Sequence, residues 1–412
     1  MQSLLVLGRQ PALGLAEVES LYGADKVQPV GQQVAIVDVD PCLLAFDRLG
    51  GAVKFCKILT TLDTTNWGQI EKFLLQVAPG HSQQMPEGKM LLGLSIIGLD
   101  INLKRLEATG LSIKKAVRKT GRPVRLVPNK TPELNTAQVL HNKLTGPNGW
   151  ELVFIRDGDK TIVAQTVKVQ DIESYTRRDR ERPKRDAKVG MLPPKLAQIL
   201  INLAAGKLPE DKLESICEIP ADQEIPLPLL EQTVLDPFCG TGVVLQEATL
   251  MGYHTYGTDL EPRMVEYSKA NLQWLHGEQR IAPVCSRLEV GDATTHQWQP
   301  PISFVAAETY LGRPFTSPPS PEVLAQTATD CNLILKKFLK NLHDQIEPGT
   351  RICIAIPAWQ TGRNTFKHLP LIDQISEMGY NRESFEHIGD DQLLYYREDQ
   401  IVARELIVIT RK

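Results

Sequence analysis

The stretch VLDPFCGTGVVLQEA, residues 234–248, decides the fold. An apolar strand ends in Asp236, a glycine-bearing turn follows, and a helix is expected from Val243 onward. Gly240 and Gly242 permit a tight turn and a close approach of backbone to a ligand. Such a turn opens a crevice at the carboxyl edge of its strand. The third glycine of a dinucleotide fingerprint is missing, because Leu245 stands in its place. A nicotinamide dinucleotide is therefore not favoured. Taken alone, Gly-Thr-Gly is also an ordinary strand-to-helix turn, with Asp236 a strand-end cap.

The sequence downstream argues for more. Apolar runs alternate with helical stretches: HTYGTD (254–259), RLEVGDA (287–293), ISFVAAE (302–308), RICIAIP (351–357) and ELIVITR (405–411). That alternation predicts a doubly wound α/β sheet, mostly parallel. Asp236, Asp259 and Asp292 each end one of three successive strands. A carboxylate at Asp259 can accept hydrogen bonds from both hydroxyls of a ribose, and one at Asp292 from an adenine amine. With Phe238, Leu260 and Ala293 beside them they form a candidate site for an adenosine-type ligand without a polyphosphate. Cys239, inside the turn, reads either as a nucleophile or as a side chain packed behind the loop. The second reading is preferred, because a buried cysteine is ordinarily inert.

The first half has a different rhythm. Strands are expected over 1–8, 32–40 and 53–59, with a helix in PALGLAEVESLYG (11–23) ending at Gly23. A second segment follows: a buried strand over 89–98, a basic helix after Asp100 broken at Gly110, and a short strand at PVRLVPN. A helix in LNTAQVLHNKLT and a hairpin turning at Asp157-Gly158-Asp159 complete it. The run RRDRERPKRDAK (177–188) has almost no apolar residue and reads as an exposed linker. Pro193 and Pro194 suit the first turn of the helix that follows.

The chain of 412 residues is long enough for two or three domains, and its 42% apolar and 23% charged residues describe a well-packed globular protein. With a net charge of −3, any nucleic-acid contact must come from local patches. The seven cysteines lack a CxxC pair and the eight histidines lack metal-ligand spacing, so neither a disulfide framework nor a metal site is expected. No membrane span and no signal peptide are expected, and the setting is expected to be cytoplasmic.

DPFCGTG, GTDLEPRMVEYSKANL and GDAT together resemble the cofactor half of class I methyltransferases that use S-adenosylmethionine (SAM). Upstream, LGRQPALGLAEVESL, GLSIIGL, NTAQVLHNKL and QDIESYTRRDRERPKRDAKVGMLPPKLAQILINLA resemble the THUMP-domain-containing tRNA (guanine-10) N2-methyltransferases, in the same order along nearly the whole chain. The resemblance implies a ferredoxin-like α+β unit (1–75), a THUMP-like RNA-binding domain (76–172), a basic linker (173–190) and a Rossmann-like SAM-dependent domain (191–412). It also implies tRNA as partner and methyl transfer to an exocyclic guanine amine; a monomer, with or without a helper subunit, is expected.

The catalytic loop departs from that family. Where Asp or Asn, Pro, Pro and an aromatic are expected after the fourth strand, this chain has Glu308-Thr309-Tyr310-Leu311. Glu308 is the candidate acceptor for the amine and Tyr310 the candidate stacking platform, with Thr309 between them. TSPPS (316–320) resembles the Ser-Pro-Pro-Tyr loop of DNA amino-methyltransferases but lacks the aromatic, and it reads foremost as a proline-rich turn. Three functions stay open: an RNA methyltransferase, a DNA amino-methyltransferase, and a SAM- and RNA-binding module without transfer. For RNA the candidates are Lys104, Lys114, Lys115 and Arg118 on the basic helix, and Arg177, Arg178 and Arg180 in the charged run. The competing reading is a solvated face for the helix and a salt-laced linker for the charged run.

Overall fold

The computed structural model describes residues 2–186, 191–209, 231–279, 285–315, 317–362, 365–397 and 400–412. Lys188 of the charged run and Thr316 of TSPPS lie outside these. The chain divides into two compact units. The first comprises Met1–Pro11, Asp25–Asp47 and Ala52–Ile172, and the second Ala12–Ala24, Arg48–Gly51 and Glu173–Lys412.

The first unit is built on one eight-stranded sheet. In chain order its strands are β1 (Ser3–Leu7), β2 (Val27–Val30), β3 (Val34–Val37), β4 (Ala52–Leu62), β5 (Met90–Ile97), β6 (Val124–Leu126), β7 (Gly149–Asp157) and β8 (Lys160–Val169). In space they run β2-β3-β1-β4-β8-β7-β5-β6. Strands from the expected 1–75 and 76–172 segments thus share one sheet, joined by the antiparallel β4–β8 pair. The β7–β8 hairpin turns through Gly158 and Asp159, with Asp157 opposite Lys160, as its turn chemistry predicts. Helices α2 (Trp67–Gln84), α3 (Leu103–Arg118) and α4 (Thr136–His141) complete the unit. The expected break at Gly110 is absent: α3 is continuous, capped by the Asn102 side chain accepting from the Arg105 N–H. Gly110 is instead a contact point, where an added Cβ would lie 2.8 Å from Leu126.

α1 (Pro11–Tyr22) begins as the proline signal predicts, but from Ala12 onward it belongs to the second unit. There Glu17 accepts from the N–H groups of Gly50 and Gly51 at 2.9 and 2.8 Å and from Asn202 Nδ2 at 2.7 Å. Asn202 sits on α6 (Pro194–Ala205), whose first residue is the expected proline.

The remainder of the second unit is a nine-stranded sheet. Its main path, β11 (Ser286–Val290), β10 (His254–Asp259), β9 (Thr233–Asp236), β12 (Phe304–Glu308) and β13 (Arg351–Gly362), is parallel throughout. β17 (Val402–Arg411) then pairs antiparallel with β13, and β15 (Tyr380–Arg382) with β17. β14 (Thr365–Lys367) and β16 (Leu394–Tyr395) add short flanking pairs. The doubly wound, mostly parallel expectation holds. α6, α7 (Val243–Leu250) and α8 (Pro262–Gln279) pack along one face. α9 (Pro321–His343) covers the other, where Leu335, Phe338 and Leu339 join Leu235, Val305, Ile354 and Ile407 in one buried cluster. Strand order reverses between β9 and β12, which puts the ligand crevice of such sheets at the carboxyl ends of these two strands.

The charged run is not a simple exposed linker. α5 (Ile172–Arg180) contains its first residues, and Arg178, Arg182 and Asp186 are buried. Asn271 of α8 accepts from the Lys184 N–H and donates to the Lys184 carbonyl, both at 2.9 Å.

Candidate functional site

A cavity of about 830 Å³ opens at that switch point. This falls within the range of roughly 300–1,000 Å³ common for small-ligand sites. Asp236, Phe238, Gly240, Asp259, Leu260, Asp292 and Ala293 all line it, as do Glu308, Thr309 and Tyr310. Of the expected cofactor residues, Gly242 alone is outside the lining. It works from behind: its φ of 82° is a left-handed conformation at the N-cap of α7. A Cβ there would lie 2.8 Å from Ser268 Oγ.

Each acid is held differently. Asp236 is buried and accepts the Phe238 N–H at 3.1 Å. Burial pushes its carboxyl pKa well up, and the charges of Asp259 and Glu308 add to that rise. Asp259 accepts the Gly240 N–H on Oδ2 and the Glu261 N–H on Oδ1, each at 2.9 Å. An ionised carboxylate has about four acceptor positions, so this one keeps capacity toward the cavity. Its pKa too is raised by burial. Asp292 is more exposed and accepts from the backbone and hydroxyl of Thr294 at 2.9 and 2.8 Å. Phe238 is fixed edge-on against Phe338 of α9, ring centroids 5.0 Å apart.

The lining carries Asp236, Asp259, Glu261, Asp292, Glu308 and Asp330 against Arg313 and Lys337. That balance suits a cationic ligand and opposes a polyphosphate. Cys239 is buried against Leu245 and Leu272, its thiol pKa pushed well up by burial. It packs behind the turn.

Across the cavity, Glu308 ends β12 and accepts from Arg404 Nε. Thr309 donates its hydroxyl to the Ala355 carbonyl at 3.0 Å, and Tyr310 is 46% exposed. Residues 317–320 are not in the lining. Ser320 instead caps α9 by accepting the Val323 N–H, with Pro321 next in the helix. Arg404, Arg313, Asp330 and Lys337 were not singled out from the sequence. Arg404 had a signal: Arg404-Glu405 lies within a largely apolar strand, and charges there need partners. Glu405 finds His368 at 2.7 Å.

The RNA candidates separate. Lys104, Lys115 and Arg118 are exposed on α3 and Lys114 is half-buried, and none has an ion pair among the described residues. Arg178 must be withdrawn. Its side chain is 9% exposed, its Nε lies 2.7 Å from Glu247 Oε1, and Glu247 is 1% exposed. It fastens α5 to α7. Arg177 and Arg180 remain exposed, Arg177 within 4.0 Å of Glu181.

No family model matches the chain. It is 28% identical over 169 residues to the tRNA (guanine(10)-N2)-dimethyltransferase of Methanothermobacter thermautotrophicus, 41% of this chain and 39% of that one. It is likewise 28% identical over 170 residues to the enzyme of the same name from Pyrococcus abyssi, covering 40% and 39%. The match thus spans about two fifths of the length of these relatives. Among solved structures, a possible methylase from Clostridium difficile 630 is similar over 98% of this chain and 97% of that one, with 11% identity and a TM-score of 0.51. That likeness is one of fold. The chain has a Rossmann-like methyltransferase fold preceded by an α+β region. Among the described residues no helix is long and apolar enough to cross a membrane.

Proposed function

We propose that the protein is a SAM-dependent tRNA methyltransferase that modifies the exocyclic amine of a guanine. One observation carries this reading: the three strand-end acids and the glycine turn share a single cavity with Glu308 and Tyr310. The names of the archaeal relatives supply the substrate class. The reading includes RNA binding through a THUMP-like region, a cytoplasmic setting and a monomer.

The cavity fits the cofactor. Asp259 retains acceptor capacity for ribose hydroxyls, Asp292 stands at the next strand end for the adenine, and Phe238, Leu260 and Ala293 offer apolar surface. The acidic lining complements a sulfonium. Bound SAM supplies an electrophilic methyl group. The protein's own task is then positioning: an aromatic amine is a weak nucleophile, and its rate depends on being held in line. Glu308 accepts from the amine and orients its lone pair, while Tyr310 stacks on a base flipped from its helix.

A binding module without transfer is the second reading, favoured by the occupation of one Glu308 oxygen by Arg404. The two separate in one assay. Purified protein, isotopically labelled SAM and unmodified bulk tRNA are incubated, and nucleosides are read by mass spectrometry, with DNA as control. We expect labelled N2-methylguanosine from tRNA alone, and its loss in Glu308→Ala. Measurable SAM binding with no label on any substrate would select the binding module. Label on DNA lost with Ser317→Ala but retained with Glu308→Ala would select the DNA enzyme.

A further inference from the structure

Arg404 does not line the cavity, yet it touches the one acid there that is proposed to meet the substrate. Glu308 stands opposite Ala355 on β13, and Arg404 opposite Pro357 on the other edge of the same strand. These positions alternate onto one face of the sheet, so the guanidinium crosses the width of β13 to bring Nε to Glu308 Oε1. The two side chains are 9% and 16% exposed. A pair this buried loses much of its hydration, and that desolvation offsets its Coulombic gain in stability. It can nonetheless fix a charge and a rotamer at the cavity wall.

The surroundings make such fixing necessary. Asp236 ends the strand next to that of Glu308 and Asp259 the strand beyond it, and all three line the same cavity. Carboxylates crowded at one site repel one another unless a cation intervenes. A mobile Glu308 would not hold an amine in line. Bonding from Arg404 occupies one position on Oε1, and Oε2 has no hydrogen-bond partner among the described residues.

We propose that Arg404 is a positioning residue for methyl transfer: it holds Glu308 in one rotamer through Oε1, leaving the second carboxylate oxygen for the acceptor amine. This rests on the methyltransferase reading above. Arg404 acts through Glu308 and never touches substrate.

A double-mutant cycle tests it with Arg404→Met, Glu308→Gln and the double variant, each assayed for kcat, for KM of SAM and tRNA, and for thermal midpoint. Arg404→Met should lower kcat by about a hundredfold, the scale of a misplacement near 1 Å, with KM for SAM changed less than about threefold. In the Glu308→Gln background the same substitution should change kcat by less than about twofold. Millimolar guanidinium should restore part of the rate to an Arg404→Ala variant and none to Glu308→Gln. Additive losses in kcat, or coupling in thermal midpoint with none in kcat, would overturn the proposal and leave a structural ion pair. If Arg404→Met fails to fold, Arg404→Lys keeps the cycle usable, with the same requirement of non-additivity. A wild-type protein that transfers no methyl group to any RNA rejects the functional reading itself, and the proposal with it.

Discussion

Asp259 uses both carboxylate oxygens to hold backbone, one on the glycine turn and one on its own strand end. Its remaining acceptor positions are those proposed for the ribose. Hydrogen bonds to a charged group contribute about 1.5–3 kcal/mol each, so Asp259→Ala should weaken SAM binding by roughly a hundredfold, read by calorimetry. The pH dependence follows from the upward shift of this carboxyl by burial. A raised pKa means the folded protein takes up a proton at higher pH than the unfolded chain does. Falling pH therefore favours the folded, unliganded protein through this group while it removes the acceptor that binding needs. SAM affinity should decline on acidification, beginning above the ordinary carboxylate range, and Asp259→Asn should flatten the decline. An affinity that stays constant until ordinary carboxylates titrate would take the ribose role from Asp259.

At the scale of elements, the pieces that join distant segments were the hardest to read from sequence. α1 was legible as a helix from Pro11 and its apolar spacing, but its place in the second unit was not. That placement depends on Glu17 meeting Gly50, Gly51 and Asn202, residues separated from it by up to 185 positions. Gly50 shows how close the packing is: an added Cβ would lie 2.0 Å from the Lys195 carbonyl oxygen on α6. Gly50→Ala must displace α6 or the 48–51 segment. It should cost about 1–3 kcal/mol or more, visible as a lowered urea midpoint with the fold otherwise intact. The charged run was misread for a related reason. Composition alone makes Arg178 look solvated, and only the fold brings Glu247 of α7 to it. Removing one partner of a buried pair costs roughly 3–5 kcal/mol, so Arg178→Ala should reduce stability by that order. At temperatures where the variant is folded, it should leave the salt dependence of RNA binding unchanged. The strand-end acids and the parallel sheet were readable because each is a local pattern, a strand, a turn and an acid within a few residues. The Glu308–Arg404 pair spans 96 positions and had only the charge inside β17 to announce it.

For the whole molecule, a net charge of −3 and an acidic cavity set a problem that the proposed substrate sharpens. A polyanion must be held by a protein whose reaction site repels phosphate. The proposed reading therefore needs cations elsewhere, and α3 carries candidates in Lys104, Lys115 and Arg118, exposed and outside any ion pair among the described residues. Arg105 and Arg122 of the same region do not qualify. The first is paired with Glu71 at 2.8 Å, and the second holds the Met85 and Pro86 carbonyls and Asn148. Each phosphate contact removed should reduce the slope of log affinity against log salt by roughly 0.7–0.9. Replacing Lys104, Lys115 and Arg118 with serine should thus lower that slope by about 2 and weaken tRNA binding most at low salt. SAM affinity should not move, because none of the three lines the cavity. The same replacement at Arg177 and Arg180 asks whether α5 contributes as well. A slope unchanged by the α3 variant would mean that its cations are only a solvated face, and the RNA-binding role would pass to α5 or to another surface.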